Sequence, residues 1–210
     1  MTRVVCCRHG QSAANAGAAT LDPLSIELTD LGRQQAERVA LLWTEPPSLI
    51  VVSPAERAWA TALPTMRRFP GVHVEEWPIQ EFTYLAPMRC AGTTAEQRRV
   101  WVEHYWTLAD PDRCDGDGAE SFNEFLARVD DTIGRLAQLA EPFDLAVLLF
   151  GHGQFINAMR WRQSHLCGEQ SMSSFRDFDL GNPVAHCEPL ELAPPPAGFS
   201  ILRLSHSDGA

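Results

Sequence analysis

The 210-residue chain contains no lysine; all 17 of its basic residues are arginine. That absence excludes Schiff-base lysine chemistry and the lysine of a P-loop, so any anion site must be built from Arg, His and backbone N–H groups. No run of about 18 uncharged apolar residues occurs, which excludes a transmembrane helix. The N-terminus is apolar for only four residues before charge returns. It lacks the apolar region of a secretory leader and reads as a first strand. The six cysteines, at 6, 7, 90, 114, 167 and 187, form no C-x-x-C pair and share no regular spacing. Such thiols point to a reducing cytoplasm rather than a disulfide framework. His165-x-Cys167 and His186-Cys187 are poor zinc sites, because zinc wants well-spaced pairs in finger-like loops. Burial as small hydrophobes accounts for these cysteines better. An excess of positive charge is also missing: the 17 Arg face 27 Asp plus Glu, a net charge of −10. Non-specific nucleic-acid binding is thereby disfavoured.

What is present is ordinary for a globular protein, with 45% hydrophobic and 21% charged residues. At about 150 residues per domain the length favours one domain over 1–210. A chain of this size buries roughly 70% of its unfolded surface without staples. Apolar runs at 4–7, 49–52 and 145–150 are each followed at once by polar or Gly residues, as in strands buried on both faces. A further strand is expected at 199–204, after Pro194-Pro195-Pro196. Helix starts lie between the runs. Ser53-Pro54-Ala55-Glu56 reads as a capping box, with Trp59, Ala62, Leu63 and Met66 at helical spacing behind it. Thr94-x-x-Gln97 and Ser121-x-x-Glu124 open two more helices, the second with Phe122, Phe125, Leu126, Val129, Ile133 and Leu136 on one stripe. Thr29 caps a helix from 30 to about 43. Strands alternating with such helices imply a three-layer α/β/α sandwich around a mostly parallel sheet.

Three polar clusters follow the three runs: Arg8-His9-Gly10-Gln11-Ser12, Ser53-Pro54-x-x-Arg57, and Gly151-His152-Gly153-Gln154. The carboxyl ends of strands border the ligand crevice in an open α/β sheet, so two Arg and two His should converge there. Helix N-termini add unpaired N–H groups; Gly153-Gln154 opens a helix running through Met159. An electropositive pocket in an acidic protein suits a compact dianion such as a phosphoryl group, to which Arg donates bidentate hydrogen bonds. One imidazole can attack phosphorus, provided its other nitrogen donates to a fixed acceptor such as a backbone carbonyl. A second, if protonated, would stabilise charge on the equatorial oxygens beside both Arg. Guanidinium charge stands in for a metal, so no metal or cofactor is called for. The leaving alkoxide still needs a proton, which calls for a carboxylic acid held neutral nearby.

Arg8-His9-Gly10 with Ser12 and Asn15 resembles the signature of the histidine phosphatase superfamily, the phosphoglycerate-mutase-like enzymes. The likeness continues through Leu28-Thr29-x-x-Gly32-x-x-Gln35-Ala36, Ser53-Pro54-x-x-Arg57-Ala58-x-x-Thr61-Ala62 and Gly151-His152-Gly153, in the family's order. The resemblance implies that His9 is the phosphorylated nucleophile and that Arg8, Arg57 and His152, with Gly153, clamp the phosphate. It implies a hydrogen bond from Asn15 to the phosphoryl or leaving group, and a proton donor at Glu81, for which Glu75 and Glu76 are local competitors. The chain lacks the Glu-Arg-x-Tyr-Gly run typical of the mutases.

The expected activity is metal-independent hydrolysis of a small phosphorylated metabolite, releasing inorganic phosphate. A phosphoglycerate-mutase-type transferase and a non-catalytic phosphate-ester-binding module are the rival readings. An aromatic-rich insertion at 77–118 is expected to form a lid, with Phe82 and Tyr84 in that role and Trp101 in packing. Arg89, Arg98 and Arg99 fall within it and are candidates to meet a second anionic group, a solvated helix face being the better account of the last two. Asp110-Pro111-Asp112 through Gly118 reads as a polar turn. His73, His104, His165, His186 and His206 read as surface or satisfied core residues.

Overall fold

In the computed structural model, which describes residues 3–139, 146–164 and 171–192, the three apolar runs form neighbouring strands of one sheet. These are β1 (Val4–Arg8), β2 (Leu49–Val52) and β4 (Val147–Gly151); β3 (Val74–Glu76) and β5 (Pro189–Leu192) complete the order β3-β2-β4-β1-β5. The first four run parallel, and β5 lies antiparallel against β1. The described helices are α1 (Asp30–Leu41), α2 (Glu56–Arg68), α3 (Pro87–Cys90), α4 (Ala95–Leu108), α5 (Phe122–Gln138), α6 (Gly153–Ser164) and α7 (Met172–Gly181).

Side chains alternate across a strand, so each apolar run feeds two cores. Val4, Cys6, Leu49, Val51, Val147 and Leu149 join one core with residues of α5, α6 and α7. Val5, Cys7, Ile50, Val52, Leu148 and Phe150 join the other with Val39 of α1 and Ala58 and Ala62 of α2. Each buried Val, Leu, Ile or Phe among them contributes about 1.5–3 kcal/mol. Helices on both faces of the mostly parallel sheet make the expected α/β/α sandwich. Adjacent Cys6 and Cys7 fall on opposite faces, as the pleat demands.

Thr29 caps α1, and full capping boxes form at Thr94/Gln97 and Ser121/Glu124. The box expected at Ser53 does not form. α2 begins at Glu56 behind Ala55 with no side-chain cap; Ser53, two residues further back, accepts from the Ala55 N–H at 3.3 Å and from His152 Nε2–H at 2.8 Å. The buried face of α2 carries Ala58, Thr61, Ala62 and Thr65, leaving Trp59 and Leu63 exposed. α1 stops at Leu41, two residues short of the expected end, and α6 continues past Met159 to Ser164. β5, α3 and α7 had no clear sequence signal. The β5 stretch Pro189-Leu190-Glu191-Leu192 mixes Pro and charge in the manner of an edge strand. The strand expected at 199–204, the proline triplet, Leu145, His165, Cys167 and His206 lie outside the described residues. Among the described residues no helix is long and apolar enough to cross a membrane.

The segment 77–118 packs inward. Phe82 stacks on Phe125 of α5 with ring centroids 4.3 Å apart, and Tyr84 stacks on Tyr105 at 4.8 Å. Trp101 packs half-buried beside this cluster, with the Arg89 guanidinium 4.5 Å above its ring. The acidic turn is more than a solvated loop, for Asp115 accepts from Arg89 Nη1 at 2.9 Å and from the Ala86 N–H at 3.1 Å.

The loop after β1 is locked onto α1 by two facing glycines. A Cβ on Gly10 would stand 2.5 Å from the Gly32 carbonyl oxygen, and one on Gly32 would stand 2.1 Å from that of Gln11. Thr29 Oγ1 donates to Gln11 Oε1 at 2.9 Å, and the Gln11 N–H donates to Gln35 Oε1 at 2.8 Å. Gly32→Ala is therefore expected to destabilise the fold by about 1–3 kcal/mol, since backbone must move to admit the methyl group. At roughly 2–4 °C per kcal/mol for a chain of this size, thermal denaturation should show a clear loss in Tm. An unchanged Tm would mean that the β1 loop and α1 separate without cost.

Candidate active site

β1 and β4 pair in register, Arg8 opposite Gly151, so His9 and His152 leave the sheet side by side with ring centroids 5.1 Å apart. β2, on the far side of β4, delivers Ser53 and then α2. Arg57, on the first turn of α2, bridges the two rings: its Nε–H donates to His9 Nε2 at 3.2 Å and its Nη2 donates to His152 Nδ1 at 3.1 Å. A third donor, Nη1, meets the Pro23 carbonyl at 2.6 Å.

A guanidinium only donates, so both ring nitrogens facing it must accept. The proton of His9 then sits on Nδ1, which donates to the Gly10 carbonyl at 2.7 Å. That of His152 sits on Nε2 and goes to Ser53 Oγ. Burial, with the Arg57 charge second, holds both imidazoles well below their ordinary pKa, so both are neutral. The sequence reading allowed His152 a positive charge; here it accepts from Arg57 and orients it, and the guanidinium groups carry the charge.

Arg8 donates through Nη1 to the Val184 carbonyl at 2.7 Å, while its Nε is buried and has no hydrogen-bond partner. Gly153 opens α6 beside it, where a Cβ would lie 3.5 Å from that Nε. Such an orphaned, charged donor beside a helix N-terminus is an anion-accepting arrangement.

Glu81 joins the cluster across the sheet end: its Oε1 accepts from the Gln154 N–H, in the first turn of α6, at 3.0 Å. Burial raises its pKa above the ordinary carboxylate range, against the pull of Arg57 and Arg8 and with the help of Asp179. Its competitors are engaged elsewhere. Glu75 accepts from Trp77 Nε1 and Arg135, and Glu76 accepts from Trp59 Nε1. Arg128 holds the Glu81 loop, donating to the carbonyls of Pro78 (2.7 Å) and Gln80 (3.3 Å) while paired with Glu120.

Asn15 is the outlying candidate. It is exposed, and its Oδ1 accepts from the Ser12 N–H at 3.1 Å and Ser12 Oγ at 2.7 Å. No hydrogen bond joins it to Arg8, His9, Arg57, His152 or Glu81.

Two residues of the site were not foreseen. His186, read from sequence as surface or satisfied core, stands 5.6 Å from the His9 ring, and its Nδ1–H donates to the His9 carbonyl at 2.7 Å. No local motif marks it; only the return of the chain to β1 brings it there, through a bridge to Arg8. Asp179 accepts from Gln154 Nε2 at 3.1 Å and Asn157 Nδ2 at 2.8 Å, bracing the start of α6. Among the described residues no group of three or more His, Cys, Asp or Glu is placed to hold a metal ion.

A cleft of about 300 Å³ runs outward from Arg57, Glu81 and Gln154. Phe82 and Tyr84 line it as well as packing into the core. Arg98, half-buried on α4, lines it too.

Similar proteins share this architecture. Glucosyl-3-phosphoglycerate phosphatase of Mycolicibacterium vanbaalenii is 45% identical over 62 residues, a stretch spanning 29% of this chain and only 28% of that protein. The structure of a mycobacterial glucosyl-3-phosphoglycerate phosphatase complexed with VO3 superposes with a TM-score of 0.70 at 26% identity, covering 92% of this chain and 93% of the other. The alpha-ribazole phosphatase of Shigella flexneri shares the fold, with a TM-score of 0.70 at 20% identity over 90% of this chain and 89% of its own. The sequence model of the histidine phosphatase superfamily (branch 1) matches residues 4–193, and the chain belongs to that superfamily.

Proposed function

We propose that this chain is a phosphatase of small phosphorylated metabolites, working in two steps through a phosphohistidine at His9. The observation that carries the reading is the tautomer of His9: Nδ1–H is tied to the Gly10 carbonyl, leaving the Nε2 lone pair as nucleophile. Arg57 now donates to that lone pair, and a bound phosphoryl oxygen takes over this donor together with the free Nε–H of Arg8. In the first step Nε2 attacks phosphorus, the P–O ester bond breaks, and Glu81 gives its proton to the leaving oxygen. In the second, the Glu81 carboxylate takes a proton from water, which attacks the phosphohistidine; inorganic phosphate leaves and His9 is neutral again. Gly153 at the start of α6 completes the phosphate clamp, His152 serves it by orienting Arg57, and Asn15, with its Oδ1 held by Ser12, keeps an amide NH₂ to offer the ester. The two guanidinium groups supply the charge stabilisation a metal would bring, so no metal or cofactor takes part. Thiols buried in the core at Cys6 and Cys7 suit a reducing cytoplasm.

The related mycobacterial phosphatase carries VO3 in its structure, an oxyanion of the kind this pocket would take. A panel of phosphomonoesters, assayed for phosphate release and for phosphoglycerate isomerisation in the presence of EDTA, tests the reading. Phosphate release that persists under chelation, without isomerisation, is expected. Activity lost to EDTA would remove the metal-free mechanism, isomerisation would make the chain a mutase, and tight binding without turnover would make it a binding module.

A further inference from the structure

The insertion contributes four arginines, and three of them are paired with neighbours, Arg113 with Asp115 at 4.0 Å. Arg89 pairs with Asp115 at 2.9 Å, and Arg99 pairs with Glu96 at 3.2 Å. Arg98 forms no ion pair with any described residue, although it is half-buried and lines the cleft. It is fixed on the first turn of α4, where its N–H donates to the carbonyl of Thr94, the capping residue, at 3.2 Å. The acid nearest on the helix, Glu96, is already engaged by Arg99. A guanidinium without a counter-charge on the wall of a cleft has its charge-assisted hydrogen bonds free for an anionic ligand.

The cleft wall is mostly hydrocarbon: Leu21, Pro23, Ile26, Phe82, Leu85 and Val102 outweigh the polar Thr20, Thr83 and Tyr84. Its 300 Å³ corresponds, at about 30 Å³ per water-sized group, to on the order of ten non-hydrogen atoms. A polyhydroxylated leaving group would find few partners along that wall and would lose hydration there.

We infer that Arg98 is an anion subsite at the outer end of the cleft, and that the substrate is a phosphomonoester whose leaving group is largely apolar and ends in a carboxylate or a second phosphoryl group. This rests on the reading that Arg8 and Arg57 hold the reacting phosphate. The acidic surface of the protein repels dianionic esters in general, and Arg98 gives those with the right charge separation a second contact. The alternative is that Arg98 only lays its stem along Ala95 and Val102 with its head in water.

Three aryl phosphates distinguish these, identical except for a para side chain ending in carboxylate, phosphonate or neutral carboxamide. In the wild-type protein kcat/KM for at least one charged ester should exceed that of the carboxamide by about ten-fold or more, the value of one charge-assisted hydrogen bond. Whichever charged ester wins identifies the terminal group. In Arg98→Gln the charged-to-neutral ratio should fall to near one. Equal ratios in the two proteins, or no preference for charge in the wild type, overturn the inference. If the wild type releases phosphate from none of the three, the phosphatase reading fails instead. The subsite is then judged from calorimetric affinities of the matching non-hydrolysable benzylphosphonates, where the same ratio supports it and a ratio of one overturns it.

Discussion

Replacing His9 with alanine should lower kcat on every phosphomonoester by at least about 10⁴-fold, because only binding and charge stabilisation remain once the nucleophile is gone. His152 cannot substitute, because both its nitrogens are occupied, by Arg57 and Ser53. In His9 the nitrogen facing the site is met by the Nε–H of Arg57 at 3.2 Å, a contact an incoming phosphoryl oxygen displaces. Rapid quenching during turnover should trap an acid-labile, base-stable phosphoprotein in the wild type and none in His9→Ala. A variant that keeps more than about 1% of wild-type turnover would move the nucleophile to another residue.

Glu81→Gln should slow alkyl phosphates by about 10²–10⁴-fold and aryl phosphates far less, since a phenolate leaves with little help from a proton donor. The pH dependence follows from two opposite shifts. Burial keeps His9 neutral at pH values below the ordinary 6.5 of imidazole, and burial keeps Glu81 protonated above the ordinary 4.5 of its carboxyl. Turnover of alkyl esters therefore persists into mild acid and falls as pH rises through the raised Glu81 value. The Gln variant should lose that alkaline limb. The same shift has a sign for stability. A carboxyl whose folded pKa lies above its unfolded one stabilises the fold fully below the unfolded value, and that contribution disappears as pH rises through the folded value. Wild-type Tm should thus decline more on the alkaline side than that of Glu81→Gln. Equal slowing across leaving groups, or an unchanged alkaline limb, would remove Glu81 from the acid role.

The layers of the fold could be read from sequence wherever apolar residues were contiguous and helix starts carried hydroxyl caps. The runs at 4–7 and 49–52 lie within strands, and the boxes at Thr94 and Ser121 open helices. At Ser53 the reading held only in part: its hydroxyl accepts from the Ala55 N–H, short of the helix that starts at Glu56, and also meets His152, a contact 99 positions away that no local rule shows. Arg8, His9, Arg57 and His152 were found because each stands just beyond a strand or in the helix that follows. His186 and Asp179 were not, for they act through a backbone carbonyl and a neighbouring glutamine, which leave no periodicity or spacing. Helical spacing alone does not say which face of α4 borders the cleft, so the sequence left Arg98 between a solvated face and a second anion contact.

The pairing of β1 with β4 sets residue 4 beside residue 147, and β5 then returns the chain to the other side of β1. On the ribosome the first strand must therefore wait, its two apolar faces uncovered, until both flanking partners have been synthesised. Long-range parallel pairing of this kind is slow to form and exposes aggregation-prone surface meanwhile. A chain released before His186 has emerged would contain the Arg-His-Gly motif yet lack a finished pocket around it.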